Sequence, residues 1–222
     1  MAERVGIFGG TFNPIHMGHL ITAEEIRQQL ALDRIVFIPS AQPPHKPALQ
    51  LVGAVHRLAM ARLAVSDNRH FQVSSMELDR QGPSYSVDTV AACRKLWGPE
   101  REIFFILGID AFLEIGTWHQ PERLPSLCNL VVISRPDYPL DGARATLAET
   151  FGIDPPLEGR EVALPGGHRL YLVDVLPIGI SSSLIRERIC AGRSAKYLLP
   201  DSVESYILSH DVYRSPNIPF DS

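Results

Sequence analysis

VGIFGGTFNPIHMGHL, residues 5–20, holds a strand, a glycine-rich turn and a helix start in one short run. Val5-Gly6-Ile7-Phe8 reads as a buried first strand, and Gly18 to Ala31 as a helix with Leu20, Ile21, Ile26 and Leu30 apolar. Glycines between a strand and a helix let a backbone approach a phosphate closely, and the helix start offers free N–H groups and a positive dipole end. The dinucleotide fingerprint GxGxxG is absent, because Gly6, Gly9 and Gly10 have the wrong spacing. In its place stands HxGH. His16 and His19, three apart, share one face of the helix start, with Gly18 leaving space between them. Two imidazoles aimed at one point suit a polyphosphate, donating hydrogen bonds to charge that develops during phosphoryl transfer. A metal pair and a helix cap are the competing roles, although the spacing imposes no third ligand.

Outward from this segment, short apolar runs alternate with helical patterns. Ile35 to Ile38 is a second strand closed by Pro39, Ala54 to Val65 a helix, and Phe71 to Val73 a weaker strand. Ser84 is placed to cap a helix reaching Trp97, where Gly98-Pro99 stops it. Ile103 to Leu107, Leu130 to Ile133 and Leu170 to Val175 supply further strands, and a helix follows from about Ser182 to Ala191. Asp201 with Glu204 has the spacing of a capping box for a last helix through Leu208. Continuous apolar strands separated by helices predict a doubly wound parallel α/β sheet of the Rossmann-like kind, with ligands at the carboxyl ends of its strands. The expected organisation is a single domain over residues 1–222. It has an edge excursion at about 137–167, rich in Pro and Gly, and a small helical part from about 182.

Composition narrows the field. At 222 residues the chain can bury a core without disulfide or metal staples. Apolar residues at 45% and charged residues at 21% exclude a disordered chain. A net charge of -4 argues against a nucleic-acid binder but leaves room for a small basic pocket. Cys93, Cys128 and Cys190 are sparse and form no CxxC pair, as expected of thiols in a reducing compartment. No signal-peptide core or apolar run of membrane-spanning length is found, so a cytoplasmic protein with no membrane partner is expected.

Further residues have the right chemistry for a nucleotide site. Ser181, Ser182 and Ser183 follow a strand and open a helix, and Arg186 one turn later can fork onto phosphate oxygens. A plain cap or linker is the other reading of that serine run. Pro43-Pro44-His45-Lys46 is a stiff loop leaving the second strand, and taken alone reads as solvated surface. Asp110, after Gly108 at a strand end, can accept both hydroxyls of a ribose or cap the next helix. Taken alone, Trp118 reads as core, Thr89 as a surface helix position, and Arg135 as a phosphate or ribose contact.

The motifs GGTFNPIHMGHL near the start, PPHK at 43–46, YSVDTV at 85–90, LGIDAFLEIGTWH at 107–119, SRP at 134–136 and ISSSLIR at 180–186 occur in that order. With them the chain resembles the nucleotidyltransferases with a T/HxGH motif, relatives of the class I aminoacyl-tRNA synthetases. Within these it is most similar to the bacterial nicotinate-mononucleotide adenylyltransferase family. Ser183 departs from that pattern, which usually has Thr. The resemblance implies attack of a mononucleotide 5′-phosphate on the α-phosphorus of ATP, giving a dinucleotide and pyrophosphate in NAD biosynthesis. It further implies catalytic roles for His16, His19, Lys46 and Arg186, with the β- and γ-phosphates held by the ISSSLIR element. ATP contacts are implied for Gly9, Gly10, Thr11, Phe12, Gly18, Gly108, Asp110, Ser182 and Ser183. Mononucleotide contacts are implied for Lys46, Tyr85, Thr89, Trp118 and Arg135, with Trp118 stacking on the pyridine ring. Mg²⁺ is expected on the ATP phosphates, without protein ligands. The expected partners are ATP and nicotinate mononucleotide, with self-association left open. The alternatives are another HxGH adenylyltransferase, taking phosphopantetheine or nicotinamide mononucleotide, and a non-catalytic nucleotide sensor.

Overall fold

Why the apolar runs become a sheet is visible in their burial. The computed structural model describes residues 2–43, 51–134, 140–154 and 159–213. Its strands are β1 (Arg4–Gly10), β2 (Arg34–Pro39), β3 (Phe71–Val73), β4 (Glu102–Gly108), β5 (Asn129–Ser134), β6 (Glu161–Ala163) and β7 (Arg169–Asp174). Four or five consecutive residues are buried in β1, β2 and β4, which is the signature of strands covered on both faces. The helices are α1 (Met17–Gln29), α2 (Ala54–Ala64), α3 (Ser86–Trp97), α4 (Ile109–Leu113), α5 (Leu140–Phe151), α6 (Ser182–Cys190) and α7 (Asp201–Ser209). The strand order β3-β2-β1-β4-β5-β7-β6 reverses direction between β1 and β4, which makes the expected doubly wound fold.

Contacts within the chain sort into two units. The first takes residues up to Gly9, Glu25–Ile35 and Tyr85–Pro177; the second takes Gly10–Glu24, Val36–Ser84 and Ile178 onward. In the first, β1 runs parallel to β4 from Arg4↔Glu102 to Phe8↔Ile106, so Gly9 and Gly108 reach the same strand ends. β4 pairs parallel with β5, and β5 with β7. Phe104, Ile106, Leu130, Val131 and Leu170 are fully buried in this core. In the second unit, Phe37 packs against Phe12 at 5.8 Å and Phe71 at 5.2 Å between ring centroids. The α2 and α7 helices share a face there, with Val203 and Ile207 buried.

Several local expectations need correction. Gly9 and Gly10 belong to β1 itself rather than to a loop after it. Ser84 does not cap α3: the position before that helix is Tyr85, and the Ser84 hydroxyl instead accepts from the Ala41 and Gln42 amides at 3.0 and 3.2 Å. The capping box at Asp201 is absent, because Pro200 holds the cap position and Asp201 sits inside the first turn. The Asp201 carboxylate accepts from Lys196 Nζ at 2.6 Å. The Gly98 stop holds, with a φ of 88° and its amide on the Arg94 carbonyl at 3.1 Å. The 137–167 region carries α5, anchored by buried Ala143 and Leu147, and β6, which pairs antiparallel with β7 at the sheet edge. Cys93 and Cys128 are buried and Cys190 is exposed; burial pushes the Cys128 thiol up to about 12, which makes it inert at neutral pH. Among the described residues no helix is long and apolar enough to cross a membrane.

Candidate active site

The second unit holds the elements expected at the phosphates. His16 precedes α1, and the first helical amides of His19 and Leu20 donate to its carbonyl at 2.9 and 3.3 Å. The His16 amide in turn donates to Nδ1 of His19 at 3.2 Å. This is the returning half of a capping box, with imidazole in place of the usual Glu, so the helix-cap role is real. It also fixes chemistry. With Nδ1 accepting, the neutral His19 ring carries its proton on Nε2 and is a donor there.

The two rings lie 3.7 Å apart, tilted by 31°. His16 is 6% exposed, and burial holds its imidazole down at about 4, neutral at physiological pH. Its Nδ1 is buried without a protein partner. A Cβ on Gly18 would stand 3.0 Å from that atom, so any side chain there would crowd the ring. A Cβ on Gly10 would likewise meet the Phe12 ring at 3.0 Å. Phe12 has a φ of 47° and lays its ring edge-on to His19 at 5.1 Å.

The serines divide their labour. Ser181 is the N-cap of α6, its hydroxyl accepting from the Leu184 amide at 3.1 Å, so one serine of the run is the plain cap. Ser182 donates to the Pro14 carbonyl at 2.9 Å, and Ser183 accepts from Arg186 Nη2 at 3.1 Å. Arg186 is buried and directs Nη1 to the Asn13 carbonyl at 2.9 Å. The α6 start is thereby tied to the turn that precedes HxGH. The Nε2–H of His19, hydroxyls, a guanidinium and a helix start are donors that suit a bound anion. Among the described residues no three His, Cys, Asp or Glu side chains converge as metal ligands.

The first unit holds the residues expected at the base and ribose. Trp118 follows a short 3₁₀ turn at Ile115–Thr117, is half-buried, and meets Phe105 edge-on at 6.5 Å. It is therefore not a core residue. Tyr85 stacks on His119 at 4.2 Å with 26° between planes. Thr89 is buried and donates to the Tyr85 carbonyl at 3.2 Å, which corrects its reading as a surface position. Asp110 is exposed in the first turn of α4, which has no side-chain cap; its carboxylate lies over Gly108, where a Cβ would meet Oδ1 at 3.0 Å. Gly9 lies near the end of β1 and Gly108 ends β4 here, and Thr11 opens the turn in the second unit. Lys46 and Arg135 lie outside the described residues.

Sequence reading missed Arg57, Asn13, Tyr213 and His119. Arg57 left a signal, because positions 57, 60, 61 and 64 form the buried stripe of α2 and the first of them is an arginine. The others pair over long sequence distances, as Tyr213 does with Asn13, and leave no local pattern.

The Cytidylyltransferase-like family model matches residues 7–188. A Moorella thermoacetica protein named "Probable nicotinate-nucleotide adenylyltransferase" is 44% identical over 95% of this chain and 92% of its own length. A Geobacter sulfurreducens protein of the same name is 45% identical over 95% and 98%. The solved structure titled Plasmodium falciparum nicotinic acid mononucleotide adenylyltransferase complexed with NaAD aligns over 95% of this chain and 97% of its own. Its TM-score is 0.72 at 19% identity, a likeness of fold.

Proposed function

This chain belongs to the nicotinate-nucleotide adenylyltransferase family, and from that premise we propose that it transfers the adenylyl group of ATP to nicotinate mononucleotide, releasing pyrophosphate. The mononucleotide 5′-phosphate is already an anion, so attack on the α-phosphorus needs no general base. What the protein must supply is placement and neutralisation of charge on the transferred and leaving phosphates. His19 presents Nε2–H, His16 stays neutral beside it, and the α6 start adds Ser182, Ser183 and Arg186. Mg²⁺ enters as part of the substrate, on the phosphates of ATP, in keeping with a donor set chosen for anions. Trp118 offers its exposed face to the pyridine ring, and Asp110 its carboxylate to ribose hydroxyls.

The single observation that carries this reading is the His16–His19 pair. One ring is kept neutral by burial, and the other is held by the helix start in the tautomer that donates. The test is pyrophosphate release with Mg²⁺–ATP and, separately, nicotinate mononucleotide, nicotinamide mononucleotide and phosphopantetheine. Nicotinate mononucleotide should give the highest kcat/KM. Faster turnover of phosphopantetheine, or no pyrophosphate with any acceptor, rejects the assignment.

A further inference from the structure

The second unit buries a guanidinium that the chemistry above does not use. Arg57 is 1% exposed. Its Nη1 donates to the Thr11 carbonyl at 2.7 Å, Nη2 to the Ala41 carbonyl at 3.2 Å, and Nε to the Val52 carbonyl at 3.0 Å. Burial pushes its pKa down, while Tyr213 and Glu77 act the other way. An apolar side chain would fill this volume on α2 without desolvating a charge. What the guanidinium adds is a planar fork that fixes three acceptors from three segments at once.

One of those acceptors matters to the reacting groups. Thr11 stands between Gly10, the last residue of β1, and Phe12, which packs edge-on against His19 at 5.1 Å. The same turn continues to Asn13, whose Oδ1 accepts from the Tyr213 hydroxyl at 2.9 Å and the Val52 amide at 3.3 Å. Val52 is thus held at its carbonyl by Arg57 and at its amide by Asn13. The turn that leads into HxGH is therefore pinned from the α2 side.

We propose that Arg57 is a positioning residue for adenylyl transfer: by holding the Thr11 carbonyl against those of Ala41 and Val52 it sets the turn that places Phe12 and His19. This rests on the function proposed above. The test compares Arg57→Lys and Arg57→Met with the unaltered enzyme, well below each melting temperature, by kcat, both KM values and the ¹H–¹⁵N spectrum of the histidine rings.

Displacement of the turn should lower kcat by ~10- to 100-fold, the scale of a small misplacement of catalytic groups. Both KM values should stay within about threefold, since ground-state binding is not what Arg57 serves. The His19 ring signal should move from a single Nε2–H tautomer toward an average of two. Should Arg57→Met fail to fold, Arg57→Lys, which keeps charge and length but not the fork, decides alone. A lower melting temperature with kcat per folded molecule and the His19 signal both unchanged overturns the proposal. If the unaltered enzyme releases no pyrophosphate, the functional reading fails by itself. The His19 spectrum of Arg57→Lys then still judges Arg57, an unchanged signal counting against it and an averaged one for it.

Discussion

His16 and Trp118 are each the most telling aromatic ring of their unit, and their surroundings differ in kind. His16 is buried, its amide spent on its neighbour His19, its ring 3.7 Å from that of His19 and lying close over Gly18, where a Cβ would crowd it. Trp118 is half-buried, follows a short 3₁₀ turn, and meets Phe105 edge-on at 6.5 Å. The second unit locks polar groups by hydrogen bonds before any substrate arrives. The first offers faces: Trp118, the Tyr85–His119 stack and an exposed Asp110. Groups that stabilise a transition state must be placed in advance, because reorganising them costs rate. Groups that recognise a ring need only area and dryness. Substitutions in the second unit should therefore damage kcat, and those in the first should damage KM.

The largest effect is expected at His19. If His19 donates to developing phosphate charge as proposed, His19→Ala should lower kcat by ~10²- to 10³-fold, as loss of one such donor does elsewhere. KM for ATP should change much less. Steady-state kinetics would break the comparison if kcat held and only ATP binding weakened.

His16 gives the next effect, which is read on stability as well as on rate. Its imidazole titrates at about 4 when folded and near 6.5 when exposed. Between those values the unfolded chain binds the extra proton, so folding stability rises with pH. The contribution is complete above pH 6.5 and is lost as pH falls toward 4, roughly 3 kcal/mol in all at 1.36 kcal/mol per unit. Urea denaturation at pH 6.5 and 4.5 measures it. His16→Asn should flatten this part of the profile; an unchanged slope would mean that His16 is not buried neutral.

Trp118→Ala should weaken mononucleotide binding by roughly 5- to 150-fold, the ~1–3 kcal/mol of base stacking on an aromatic, with the ATP KM nearly unchanged. A half-buried residue should cost little melting temperature. A large thermal loss with equal damage to both KM values would move Trp118 into the structural class and erase the contrast between the units.

How much of this the sequence disclosed follows from the range of each interaction. HxGH and ISSSLIR are local: His16 speaks to His19 three residues away, and Ser181 to Leu184 across one turn. Their spacing was readable as chemistry. The alternating strands were readable because burial on both faces makes them continuously apolar. Ser84 was misread because its partners, Ala41 and Gln42, lie more than forty residues upstream. The β6 strand escaped because three residues at an antiparallel edge carry no run. Tyr213 escaped for the same reason as Ser84, since its bond to Asn13 closes a large loop.

Ser183 supplies the finest test of the contrast, because it departs from the usual threonine of the motif. Its hydroxyl accepts from Arg186 Nη2 at 3.1 Å, and that guanidinium also holds the Asn13 carbonyl at 2.9 Å. Ser183→Thr keeps an acceptor at the same position and adds one methyl near the start of α6, where helix propensity counts for little. Stability should shift by no more than ~0.5 kcal/mol, the range of substitutions that spare every named contact, and kcat by less than about twofold. Ser183→Ala removes the acceptor and leaves a buried guanidinium one partner short, so about 1–3 kcal/mol of stability should go with it. If Arg186 also serves the phosphates, kcat should fall while the KM for nicotinate mononucleotide stays, as the proposed function, which gives the pyridine ring to Trp118, requires. Thermal melts and both KM values on the two variants separate the cases. Equal effects of Thr and Ala would mean that the Ser183 hydroxyl does not hold Arg186, and that the second unit is less locked than its hydrogen bonds indicate.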